Sequence, residues 1–131
     1  EAREAAAGAL RNLVADDEAQ TGAVFDAGAA APLARLLANG TPGAQEAAAV
    51  ALWNLMADSP ARSAAIAELG VAAAAAGVLG TGSPEAREAA AGILGIIAEI
   101  SEEGKEQVCG VGAVAPLVAL LAAPGAALEA R

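Results

Sequence analysis

Apolar residues recur along this chain at helical spacing. Ala6, Leu10 and Leu13 fall at i, i+4 and i+7, as do Ala48, Leu52 and Leu55, and again Ala90, Leu94 and Ile97. That spacing puts each trio on one face of an α-helix. No stretch shows the period-two alternation of a half-buried strand. The three helical stretches are also copies of one another. Glu4-Ala-Ala-Ala-Gly-Ala-Leu-Arg-Asn-Leu13 recurs as Glu46-Ala-Ala-Ala-Val-Ala-Leu-Trp-Asn-Leu55 and as Glu88-Ala-Ala-Ala-Gly-Ile-Leu-Gly-Ile-Ile97, an offset of 42 residues each time. A second landmark keeps the same offset, Gly28, Gly70 and Gly112. After Gly28 and Gly112 the chain reads Gly-Ala-x-Ala-Pro-Leu. Two independent landmarks with one spacing mark a true repeat, the signature of a stacked array.

Each unit holds three helices. Short helices are expected near 18–27, 60–69 and 102–110, stopped by Gly28, Gly70 and Gly112, because glycine takes the left-handed conformation that ends a helix cheaply. Second helices are expected near 30–38, 72–79 and 114–122, with Pro32 in a first turn where its missing N–H leaves nothing unpaired. Long third helices carry the repeated motif. Thr41-Pro42, Ser59-Pro60 and Ser83-Pro84 read as N-caps followed by proline at the first helical position, and Asp17 with Gln20 has capping-box spacing. The units then run 1–15 (the third helix of a first, partial repeat), 16–57, 58–100 and 101–131. The chain opens in a third helix, and Leu128-Glu129-Ala130-Arg131 reads as the start of another. Neither end has the polar outer face of a capping repeat, so the expectation is a segment of a longer array with flanking repeats.

Three helices per 42 residues, Gly-Ala-x-x-Pro-Leu opening the second helix, and Glu-Ala-Ala-x-x-Ala-Leu-x-Asn-Leu in the third closely resemble the armadillo family. The resemblance covers nearly the whole chain, with the third unit divergent. It implies an all-α fold, a right-handed α-solenoid of about three repeats whose third helices line a concave groove. The related HEAT repeats have two helices and lack the Gly-x-x-x-Pro-Leu signature. The resemblance also implies a role for Asn12 and Asn54: in the family this position forms an asparagine ladder that holds an extended peptide. Asparagine inside a helix costs about 0.5 kcal/mol relative to alanine, so two of them one repeat apart in an alanine-rich chain call for a reason. An amide offers one donor group and one acceptor, matching a peptide unit. Bonds to neighbouring helices or to water are the alternative.

Arg11 and Trp53 hold the position before each asparagine, which also faces the groove in the family. Tryptophan and arginine are favoured interface anchors, while a tryptophan laid against the neighbouring repeat is equally open. In the third unit Gly95 and Ile96 replace the ladder pair, with Ile100 one turn on, so the groove is expected to turn apolar there. Nuclear-import adaptors of the family carry a tryptophan four residues before the asparagine. Here those places hold Gly8, Val50 and Gly92, which brings the chain nearer to adhesion, signalling and scaffold members.

Composition narrows the chemistry. About a third of the 131 residues are alanine, with one Phe, one Trp and no Tyr, so close-packed helices with an aliphatic core are expected. There are 16 acidic residues against 7 basic ones, for a net charge of −9. Nucleic acid needs a Lys/Arg footprint, so it is not an expected partner, whereas a basic protein segment is. The uncharged run from Gln107 to Leu128 has the length of a membrane span but aligns with charged stretches of the earlier units, and no membrane insertion is expected.

There is no histidine, hence no imidazole base, no Ser-His or Cys-His pair and no histidine metal ligand. No catalytic residue, metal or cofactor is assigned. Gly110-Val-Gly112-Ala-Val-Ala115 imitates a dinucleotide fingerprint without the strand that motif requires. Glu99, Glu102, Glu103 and Glu106 lack the spacing of a calcium loop and read as solvated surface. Asp16 and Asp17 read as capping residues at a helix junction. Cys109, in register with Phe25 and Ala67, is expected to be a buried structural thiol, and a single cysteine fits a reducing, intracellular and cytoplasmic or nuclear setting. The function this predicts is a non-catalytic module binding an extended segment or partner helix in its groove. Two alternatives stay open: an architectural solenoid segment of a large assembly, and an adaptor region of a larger enzyme such as a ubiquitin ligase.

Overall fold

The structure, a computed structural model, describes residues 1–15, 18–57 and 59–122. Every regular element among them is a helix. In chain order they are α1 (Ala2–Leu13), α2 (Glu18–Asp26), α3 (Ala30–Asn39), α4 (Pro42–Met56), α5 (Pro60–Ala67), α6 (Val71–Thr81), α7 (Pro84–Ile100), α8 (Glu102–Gly110) and α9 (Val114–Ala122). The short–second–long order of the sequence is thus kept, with ends within two residues of those expected. Asp16, Asp17 and Leu128 to Arg131 lie outside the described residues.

Local chemistry sets the boundaries. Thr41, Ser59, Ser83 and Ser101 each accept a hydrogen bond on the side-chain oxygen from the backbone N–H three residues on, at 3.0–3.2 Å. Pro42, Pro60 and Pro84 follow three of these caps. A cap of this kind contributes about 1 kcal/mol. At the other end of the short helices, Gly28, Gly70 and Gly112 have φ of 88°, 82° and 78°. A side chain there would be strained, which is why glycine recurs at this point of each unit.

The helices stack in three rows. The third helices α1, α4 and α7 lie side by side, α3 and α6 pack against α4 and α7 with α9 beside α6, α2 and α5 each touch two successive third helices, and α8 packs on α7. Alanine makes the close stacking possible. In α4, Ala44, Ala47, Ala48, Ala49 and Ala51 are buried along with Leu52, Leu55 and Met56. The core continues through Leu33, Leu37, Ile66, Val71, Ile93, Leu94 and Ile97.

The expected trios divide. Ala48–Leu52–Leu55 and Ala90–Leu94–Ile97 are buried, but Ala6 is exposed, Leu10 half-buried and Leu13 exposed. In α1 the buried positions are Ala7 alone, followed by Val14 just after the helix. The reason is position: α4 has α1, α2 and α3 on that side, and α1 has no counterparts to them among the described residues.

Cys109 also departs from expectation: it is exposed. Helix α8 turns Gly104 and Val108 inward, and the residue after Val108 is rotated about 100° off that face. Its register mates Phe25 and Ala67 are half-buried at the edge of the core. Their helices α2 and α5 pack under later third helices, α4 and α7, whereas no such helix follows α9 among the described residues.

No single described helix is long and apolar enough to cross a membrane, and the uncharged run is bent by 79° between α8 and α9.

Candidate binding face on the third helices

In α4 the residues that escape full burial include Glu46, Val50, Trp53, Asn54 and, just past its end, Ala57. They fall at i, i+4, i+7, i+8 and i+11, a single stripe. One repeat on, Glu88, Gly92, Gly95, Ile96 and Glu99 are likewise unburied, and one repeat back so are Glu4, Gly8, Arg11, Asn12 and Ala15. Three parallel stripes therefore make one continuous face.

Side chains tie these stripes together. The Arg11 guanidinium lies 3.6 Å from the Glu46 carboxylate on α4 and 2.8 Å from that of Glu85 on α7. One side chain thus reaches two repeat steps, although stacked helix axes are about 8–10 Å apart. Arg11 ties three successive third helices together on this face. A second contact repeats with the period. The Thr41 hydroxyl donates to Glu4 at 3.1 Å and the Ser83 hydroxyl donates to Glu46 at 2.8 Å. Each N-cap therefore also fastens its helix to a glutamate of the preceding repeat. Hydrogen bonding with the Glu85 carboxyl and the Ser83 hydroxyl, helped by the Arg11 charge, holds the Glu46 carboxyl below the ordinary glutamate range against a cost of desolvation.

The predicted residues all reach this face or its end, in different conditions. Asn12 is exposed and Asn54 half-buried. Neither amide hydrogen-bonds to another described residue, and among the described residues no buried side-chain polar atom lacks a partner. Arg11 is half-buried and engaged by the two glutamates. Ile96 and Ile100 are half-buried on α7 beside the exposed Gly95. Trp53 is half-buried, with its indole over Gly92 of the next repeat, where a Cβ would run into the ring. Of its two open arrangements the structure has the one against the neighbouring repeat.

Three contributors escaped the sequence reading: Glu46, Glu85 and Gly92. Glu46 carried a signal, since Glu4, Glu46 and Glu88 begin each copy of the motif. Gly92 carried one too, because a glycine inside a helix costs about 1 kcal/mol relative to alanine. Glu85 had none beyond its charge. Gly92→Leu is expected to push the Trp53 indole off α7 into water. The measurement is the emission maximum of this sole tryptophan, which shifts to the red; an unmoved maximum would contradict the contact.

Among the described residues no group of three or more His, Cys, Asp or Glu side chains is arranged to hold a metal ion.

Residues 17–57 match the armadillo/beta-catenin-like repeat. The fold is that of an armadillo-type α-solenoid. Solved structures agree along nearly the whole chain. One engineered protein is 29% identical with a TM-score of 0.81 over 93% of this chain and 50% of its own. Another is 27% identical with a TM-score of 0.81 over 94% and 50%. A computationally designed armadillo repeat protein for modular peptide recognition is 26% identical with a TM-score of 0.83 over 94% and 52%. The chain thus spans about half the length of these solved structures. No curated protein sequence matches it.

Proposed function

We propose that this chain is a peptide-binding scaffold without catalytic activity, and that its inner face captures an extended protein segment. The observation that carries the reading is the pair of amides, Asn12 and Asn54, one repeat apart on one stripe and making no hydrogen bond within the described chain. An extended peptide advances about 6.6–6.8 Å per two residues, close to the spacing of helices that converge on a concave side. Two peptide residues per repeat keep register with the two amides. Trp53 offers the flank of its ring to a ligand side chain, and Ile96 with Ile100 form an apolar end. Glu88 and Glu99 are exposed along the same stripe, and with the net charge of −9 they favour a basic segment over an acidic one or a nucleic acid. The designed relative made for modular peptide recognition is similar enough to support the same use of the fold.

Each amide hydrogen bond adds about 0.5–1.5 kcal/mol net, roughly a 2- to 10-fold change in affinity. Chemical-shift mapping with matched basic and acidic extended peptides tests the reading. Shifts along α1, α4 and α7 with the basic peptide are expected, weakened 2- to 10-fold by Asn54→Ala and further by adding Asn12→Ala. Binding that persists unchanged in the double variant, or that maps to α2, α5 and α8, defeats it.

A second reading draws on Arg11. Its ion pairs to two successive repeats stiffen the solenoid and occupy part of the face, which suits an architectural segment of a larger assembly.

A further inference from the structure

Along its three stripes the third-helix face carries one basic side chain, Arg11, against Glu4, Glu46, Glu88 and Glu99. Its Nη1 faces Oε2 of Glu46 at 3.6 Å, and its Nη2 donates to Oε2 of Glu85 at 2.8 Å. The Ser83 hydroxyl donates to the other Glu46 oxygen at 2.8 Å, which leaves Oε2 for the guanidinium. Hydrogen bonding with Glu85 and Ser83, helped by the Arg11 charge, holds the Glu46 carboxyl below the ordinary glutamate range, so it is ionised near neutral pH. Two carboxylates share one guanidinium, and the cluster stays negative.

The stacking of the repeats does not need this cation. Helix α4 packs on α7 as α1 packs on α4, and there the register mate of Arg11 is Trp53, an uncharged ring over Gly92. The Ser83–Glu46 contact likewise has a counterpart without an ion pair among the described residues, the Thr41 hydroxyl donating to Glu4 at 3.1 Å. What differs is Glu85, whose mate on α4 is Gly43. Glu85 sets a second carboxylate beside Glu46, and two like charges at close range call for a cation. Arg11 supplies it from within the chain. The arrangement is open to water, with the Glu85 side chain 54% exposed, and ion pairs so exposed are held weakly.

Resting on the peptide-binding reading of this face, we propose that Glu46 and Glu85 form an arginine subsite and that Arg11 is its built-in competitor. An arginine of the bound segment takes the place of Arg11, which swings out into water. A guanidinium suits the subsite because it presents donors on separate nitrogens in a fixed plane, one for the carboxylate of each helix; a lysine ammonium has a single nitrogen. Arg11 itself demonstrates the reach. It adjoins Asn12, so a side chain that starts beside this amide extends to the two carboxylates. A ligand arginine whose backbone lies on the Asn12 amide starts from the same place. The exchange loses little, because one exposed pair replaces another.

Arg11→Gln tests this, since it keeps the side-chain stem and empties the subsite. The probes are a capped eight-residue peptide alternating arginine and serine, and its counterpart with citrulline, in which a neutral urea replaces each guanidinium. Chemical-shift titrations at one ionic strength give the dissociation constants, and circular dichroism checks that every variant is folded. Arg11→Gln is expected to bind the arginine peptide about 2- to 5-fold more tightly than wild type, the range an exposed ion pair sets. Adding Glu85→Gln removes that gain. Arg35→Gln makes the same charge change at an exposed position of α3 and brings none. An equal gain in Arg35→Gln, or with the citrulline peptide, overturns the subsite. So does a gain that survives Glu85→Gln. If the arginine peptide shifts α1, α4 and α7 but binds Arg11→Gln no better than wild type, the competitor is refuted, the peptide-binding reading stands, and Arg11 is a structural brace. If it shifts none of these helices in either protein, both fail.

Discussion

Leu52→Ala is expected to remove about 2–5 kcal/mol of folding stability, the range for deleting a buried leucine. The upper half of that range applies here. Leu52 is fully buried in α4, the helix that contacts α1, α3 and α7 at once. Ala47, Ala48, Ala49 and Ala51 of the same helix are buried as well. Alanine has no rotamer with which to refill a cavity, so the void persists and its lining loses dispersion contacts. A domain has only about 5–15 kcal/mol in total, so one substitution takes a large share. Urea unfolding measures the loss as a fall in the midpoint at constant slope. Leu10→Ala is the control, since it alters the same repeat position in α1, where the leucine is half-buried. It should cost far less. Equal losses at the two positions would contradict the difference in burial between them.

Gly104→Ala runs against helix propensity. Alanine is favoured over glycine inside a helix by about 1 kcal/mol, and Gly104 lies within α8. Its Cα, however, is pressed against the carbonyl of Ile97 near the end of α7, and a Cβ would strike that oxygen. The obstacle is backbone, so no rotamer change relieves it; α8 must lift from α7. Overpacking of this kind costs about 1–3 kcal/mol or more, which outweighs the propensity gain. Gly95→Ala provides the opposite sign. Gly95 is inside α7 with nothing within 4 Å of the place an added methyl would take, so alanine there should stabilise by about 0.5–1 kcal/mol. Paired thermal or urea unfolding decides the matter, and a Gly104→Ala variant more stable than wild type would refute the close approach of α8 to α7.

What the sequence determined by itself was everything that acts over short range or repeats. The offset from Glu4 to Glu46 to Glu88 gave the unit. Ser-Pro and Thr-Pro pairs gave the helix starts, since a hydroxyl cap and a fixed proline φ act within three residues. Gly28, Gly70 and Gly112 gave the stops, because glycine takes the positive φ that ends a helix without a Cβ penalty. The asparagine pair was visible because it departs from alanine at a fixed interval.

The tertiary structure alone decided which residues meet across repeats. Periodicity says that Arg11, Trp53 and Gly95 are equivalent, but not that Arg11 reaches two glutamates on two further helices while Trp53 lies down on Gly92. Those outcomes depend on helix crossing, curvature and side-chain length, none of which an offset encodes. Burial was undecided for the same reason. Leu13 matches Leu55 and Cys109 matches Ala67 in register, yet both are exposed, because burial is supplied by the helices next door and register cannot say whether those helices are there.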